Sequence, residues 1–66
     1  MVLQEIRGVN GVVIGRIEDR GYALEARNVR GILLASYKKD RNITVNVRGV
    51  TVAQGNILAS YITGAI

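Results

Sequence analysis

The residues with the most chemical potential in this chain are three arginines that recur in one setting. Each follows a branched aliphatic and precedes a glycine: Ile6-Arg7-Gly8, Val29-Arg30-Gly31 and Val47-Arg48-Gly49. A guanidinium presents a planar fork of donors that matches phosphate or carboxylate. If the repeats are related by rotation, Arg7, Arg30 and Arg48 gather at one end of the module and form an anion-binding corner. Lys38, Lys39 and Arg41 make a second basic cluster on a charged loop. The plainer role for strand-end arginines is solvated charge that blocks edge-to-edge aggregation, and the sequence leans that way. Nucleic-acid binding through these six cations is the alternative. Single-strand binders pair a basic groove with aromatic platforms, whereas Tyr22, Tyr37 and Tyr61 read as partly committed to the core.

Other chemistry is thinner. Gly8, Gly11 and Gly15 invite comparison with phosphate-binding loops, but those need a strand before, a helix after and a later acid. Here the glycines flank a turn and a β-branched run. Glu18 and Asp19 are adjacent carboxylates on a strand-connecting turn, so they point apart into solvent, unlike an acid–base pair with split pKa values. Ser36 and Ser60 occupy equivalent places, but a nucleophilic serine needs a neighbouring base. The chain has no histidine and no cysteine. No catalytic residue, metal site or cofactor is expected, and the chain reads as no enzyme.

The elements that must position these residues are short. Sixty-six residues make one domain, residues 1–66, which buries only roughly 60% of its unfolded surface. Without cysteine it has no disulfides, so oligomerisation is the expected supplement. Asn10-Gly11 predicts a two-residue hairpin turn of type I′. Residues 12–17 and 32–37 are apolar on both faces. Residues 43–48 alternate cleanly, with Ile43, Val45 and Val47 on one side. Residues 22–29 contain good helix formers, yet they fill the slot of 43–48 in the repeat and are read as a strand.

Leu34-Ala35-Ser36-Tyr37 returns letter for letter at Leu58-Ala59-Ser60-Tyr61. The last segment, residues 57–62, could be a short helix capped by Asn56, with Ile57, Leu58, Tyr61 and Ile62 on one side. Its identity with 34–37 favours a strand. The sum is an all-β fold of about seven short strands, with imperfect hairpin repeats near 12–30, 32–48 and 50–62. These form a small barrel-like or flower-like roll.

The glycine turn, short apolar strand, polar loop and alternating strand seen in VVIGRIEDRGYALEARNVRG, ILLASYKKDRNITVNVRG and VTVAQGNILASYI resemble the small bacterial four-fold beta-flower proteins. That resemblance implies petals of hairpins around a pseudo-rotational axis and transfers no binding motif. Strands apolar on both faces imply covering by a closed sheet or a second subunit. Tyr37, Tyr61, Leu33 and Val13 are the expected subunit interface.

No signal peptide or membrane-length apolar run is evident, so a cytoplasmic location without membrane contact is expected. The functional expectation is a non-enzymatic, self-associating interaction or assembly module. Its partner is first a second copy, then another protein.

Overall fold

A computed structural model describes residues 1–64. Six strands and one helix follow in order: β1 (Val2–Arg7), β2 (Val13–Asp19), β3 (Ala23–Asn28), β4 (Leu33–Lys38), β5 (Ile43–Asn46), β6 (Thr51–Gln54) and α1 (Leu58–Thr63). Each strand pairs antiparallel with the next, giving one sheet in the order β1-β2-β3-β4-β5-β6. The all-β reading holds, and residues 23–28 are the strand expected there. The sheet does not close: β1 and β6 are its edges.

Three turns at one end share a design. In each, a type I turn is followed by a glycine with positive φ, namely Gly11 at 80°, Gly31 at 82° and Gly49 at 81°. The Gly31 N–H donates to the Asn28 carbonyl and the Asn28 N–H to that of Ile32. The same pair of bonds recurs at Asn46, Gly49 and Val50, and at Gly8, Gly11 and Val12. Asn28 and Asn46 add a side-chain oxygen that accepts two further backbone N–H groups, from Arg30 and Ile32 and from Arg48 and Val50.

This corrects the expected two-residue turn at Asn10-Gly11. The loop has three residues, and only its last needs the left-handed conformation that glycine supplies. Each of these hairpins also carries a register shift beside its turn. The structural repeat is therefore the hairpin itself, β1–β2, β3–β4 and β5–β6. Its frame sets Arg7 against Arg27, and Asn10 against Arg30 and Arg48.

The last segment departs from the strand reading. Residues 58–63 are helical and lie across one face of the sheet. Gly55 turns the chain with φ 85°, and the Asn56 side chain accepts the Leu58 N–H at 3.0 Å. Gly64 closes the helix in the left-handed region, φ 78°. Leu58 is wholly buried on Ile6, Ile17, Leu24, Ala26 and Ala35, with Tyr61 and Ile62 packed at the margin. A floor of small residues admits this short helix. A Cβ on Gly15 would lie 2.6 Å from Ile62 Cγ2 and 2.7 Å from the Arg27 carbonyl oxygen, so nothing larger than glycine fits without movement.

Thr44, the one buried polar side chain among the described residues, ties this layer down. Its hydroxyl donates to the Gly55 carbonyl at 2.7 Å and accepts the Ile57 N–H at 3.2 Å. A buried hydroxyl with both roles filled avoids the cost of desolvation.

Candidate functional site

Cross-strand partners share a face, so register places every side chain. Ile17, Ala26 and Ala35 lie in one row under α1. Glu18, Glu25, Ser36 and Val45 lie in a row on the opposite face, as do Arg16, Arg27 and Leu33. That face carries an ion network. Arg16 pairs with Glu18, Arg20 bridges Glu18 and Glu25 at 3.1 Å each, and Arg27 reaches Glu25 at 2.9 Å.

Directly opposed residues are of like charge, while neighbours two apart along a strand are opposite. The network therefore alternates, and the attractions along the strands offset the repulsions across them. The Arg16 hydrogen bond holds Glu18 below the usual carboxylate range. Burial pushes Glu25 up, but hydrogen bonds from Arg27 and Arg20 outweigh it and leave its pKa lowered.

Sequence reading missed this network. It treated Glu18 as a solvated turn residue, whereas Glu18 lies within β2, one residue before its end, and is largely covered. The signal was available in Arg16-x-Glu18 and Glu25-x-Arg27, opposite charges at the two-residue period of a strand.

The six cations singled out from sequence fall at opposite ends of the sheet. Arg7, Arg30 and Arg48 lie at the end formed by the three glycine turns. Arg30 and Arg48 hold the same turn position and have no carboxylate partner among the described residues. Arg7 instead matches Arg27: each donates from Nη1 to its turn glycine's carbonyl, Arg7 to Gly11 at 2.8 Å and Arg27 to Gly31 at 2.7 Å. These two arginines clamp their own hairpins. The same end exposes Val9, Val12, Val29, Ile32, Val47 and Val50.

Lys38, Lys39 and Arg41 lie at the far end, where they join Gly21, Tyr22 and Asp40 around an open groove of about 540 Å³. The Gly21 N–H and Lys39 both donate to Asp19, holding its carboxyl below the ordinary value.

The expected interface residues are also divided. Tyr37 and Tyr61 pack at the rim of the core on the helix side, and the Tyr37 hydroxyl donates to Asn42 Oδ1. Val13 and Leu33 sit opposite Arg7 and Arg27 on the uncovered face. One face of the sheet is covered by α1, and the ion-paired side chains of Arg16, Glu18, Glu25 and Arg27 lie across β2 and β3 on the other.

No three His, Cys, Asp or Glu side chains group as a metal site among the described residues. No helix among them is long and apolar enough to cross a membrane.

An open antiparallel meander with one short helix on a face defines a β-sheet module. The chain belongs to the family of CsgG, the curli production assembly/transport component, whose model matches residues 1–65. No curated protein and no solved structure gives a significant match. The family is that of an outer-membrane secretion component, and this overturns the expectation of a cytoplasmic location. That expectation rested on there being no recognisable leader pattern or membrane-length apolar run in view, which is no positive sign of any compartment.

Proposed function

We propose that this β-rich module of an assembly and transport family is a non-enzymatic building block that associates with further copies of itself through the edges of its sheet. The observation that carries the reading is the open meander. β1 pairs only with β2, and β6 only with β5, so one flank of each is unpaired among the described residues. An even number of antiparallel strands makes β1 and β6 run in opposite directions. β6 of one copy can therefore lie beside β1 of the next without reversing it, which continues the alternation as a head-to-tail contact.

Natural edges are blunted with charge or proline. β6 (Thr51-Val52-Ala53-Gln54) has neither, and its Val52 is 40% exposed. On β1, Glu5 and Arg7 pair with each other at 3.6 Å, leaving no net charge to repel a neighbouring strand.

Light scattering on a sizing column tests this. The wild-type chain is expected to run as a dimer or larger assembly at micromolar concentration. Val52→Lys, which places a charge on the β6 edge, is expected to return it to the 7.2 kDa monomer. A wild-type chain that is monomeric throughout that range would remove the proposal.

A further inference from the structure

The groove at the far end joins two loops that are distant in sequence. The β2–β3 turn brings Gly21 and Tyr22, and the end of β4 with the β4–β5 turn brings Lys38, Lys39, Asp40 and Arg41. They meet because both turns lie at the same end of the meander. Tyr22 takes no part in the core and is 71% exposed. The Lys38 ammonium sits over one face of its ring, 5.9 Å from the centroid, near the limit of cation–π contact, and the exposure of the residue leaves the other face to a ligand. Gly21 beside it has φ 89°, with nothing within 4 Å of where a Cβ would stand, so the turn itself adds no bulk to the groove.

Lys39 is tied to Asp19 at 3.0 Å. Lys38 and Arg41 have no carboxylate partner among the described residues. An exposed aromatic face set among cations is the pairing that binds a base and its phosphate. The groove's volume falls within the range of small-ligand sites, about 300–1,000 Å³.

We infer that this groove binds a nucleotide. The base stacks on Tyr22, and the phosphate is held by Lys38 and Arg41. Asp40, the one carboxylate in the lining, opposes a bare phosphate and offers an acceptor to the exocyclic amine of a base. The site therefore favours a phosphate that carries a base over phosphate alone. It is independent of the strand edges, because it lies at an end of the strands and not along β1 or β6.

Calorimetric titration of the chain at low salt tests the inference with four probes: adenosine monophosphate, adenosine, inorganic phosphate and a short single-stranded oligoadenylate. Adenosine monophosphate is expected to bind at least about tenfold more tightly than adenosine or phosphate. Tyr22→Ala is expected to weaken it about tenfold, in line with the stacking of one base on an aromatic ring, while Tyr22→Phe keeps the affinity. Lys38→Gln with Arg41→Gln is expected to weaken binding and flatten its salt dependence.

Oligoadenylate binding more tightly than the mononucleotide would assign the ligand to a nucleic-acid strand. The reverse order would assign it to free nucleotide. Both results support the site. Absence of binding by every probe, phosphate binding as tightly as adenosine monophosphate, or a Tyr22→Ala variant of unchanged affinity would each overturn it. Tyr22 and Arg41 lie in turns and Lys38 is the last residue of β4, and far-UV circular dichroism checks that the variants keep the fold.

Discussion

Leu34–Tyr37 and Leu58–Tyr61 are the same four residues, and the first lies within β4 while the second opens α1. In the strand copy, Ala35 is the buried residue and Leu34 is half-covered at a register shift. In the helical copy, Leu58 is wholly buried and Ala59 is exposed. A period of two points Ala35 into the core, whereas a period of 3.6 puts Leu58 with Tyr61 and Ile62 on one side.

Neither Leu, Ala, Ser nor Tyr strongly opposes either state, since helix propensities among ordinary residues differ by about 0.7 kcal/mol at most. The flanks and the neighbours decide. Residues 35–37 have strand partners on both sides, β3 and β5. Residues 58–61 follow β6, the last strand among the described residues, and pack on the apolar face of Ala26, Ala35 and Ile17.

The comparison is broken most severely at Leu58. Leu58→Ala leaves a cavity under the helix and is expected to cost about 2–5 kcal/mol. A core this small supplies little more than that, so chemical denaturation should show a chain largely unfolded in water. Leu34→Ala, at the half-buried equivalent, should shift the denaturation midpoint much less. Equal losses at the two positions would mean that the two copies are packed alike, contrary to the structure.

Gly15→Ala attacks the floor and leaves the helix sequence unchanged. The added methyl meets Ile62 and the Arg27 carbonyl, and overpacking of this kind costs about 1–3 kcal/mol. The expected readout is a lowered denaturation midpoint together with increased solvent exposure of Tyr61, seen in its fluorescence. Thr44→Val keeps the shape but strips two hydrogen bonds from the loop that starts the helix. Its cost is about 1–3 kcal/mol, and amide exchange should quicken at Ile57 before it quickens in β2 or β3.

Acid sharpens the contrast with the smallest effect. The strand copy borders the ion network, since Ser36 lies directly opposite Glu25, and the helical copy does not. Glu18 and Glu25 have lowered pKa values in the folded chain relative to the ordinary 4.5. Such groups contribute stability that is fully present above the ordinary value and is lost as pH falls through the folded one. Stability should therefore hold down to about pH 4.5 and decline below it. The Glu18→Gln, Glu25→Gln double variant should show a flatter decline in pH-dependent denaturation. Salt should weaken the same contribution, because these side chains reach solvent.

Much of the sheet was legible because its turns are chemically local. Gly11, Gly31 and Gly49 mark positions that demand positive φ, and Asn28 and Asn46 serve the same turns through their own side chains. Alternation at Ile43, Val45 and Val47 marked a strand with two faces, although Val47 itself falls in the following turn. The candidate site was legible only in pieces. Lys38, Lys39 and Arg41 were visible as a cluster, but Tyr22 is sixteen residues upstream of Lys38. Only the meander brings the two loops to one end. The clamp formed by Arg7 and Arg27 was hidden because the eye pairs Arg7-Gly8 with Arg30-Gly31, while the structure aligns the chain one hairpin frame away.

The sequence by itself determined where the chain turns and that its segments between turns favour extended backbone, because both depend on the φ freedom and branching of single residues. Tertiary structure alone decided which copy of the repeated tetrapeptide became a helix, which face of the sheet was covered, and which cations shared an end. Those outcomes depend on apolar area and strand pairing between residues far apart in sequence, and these outweigh the small local preferences of four residues.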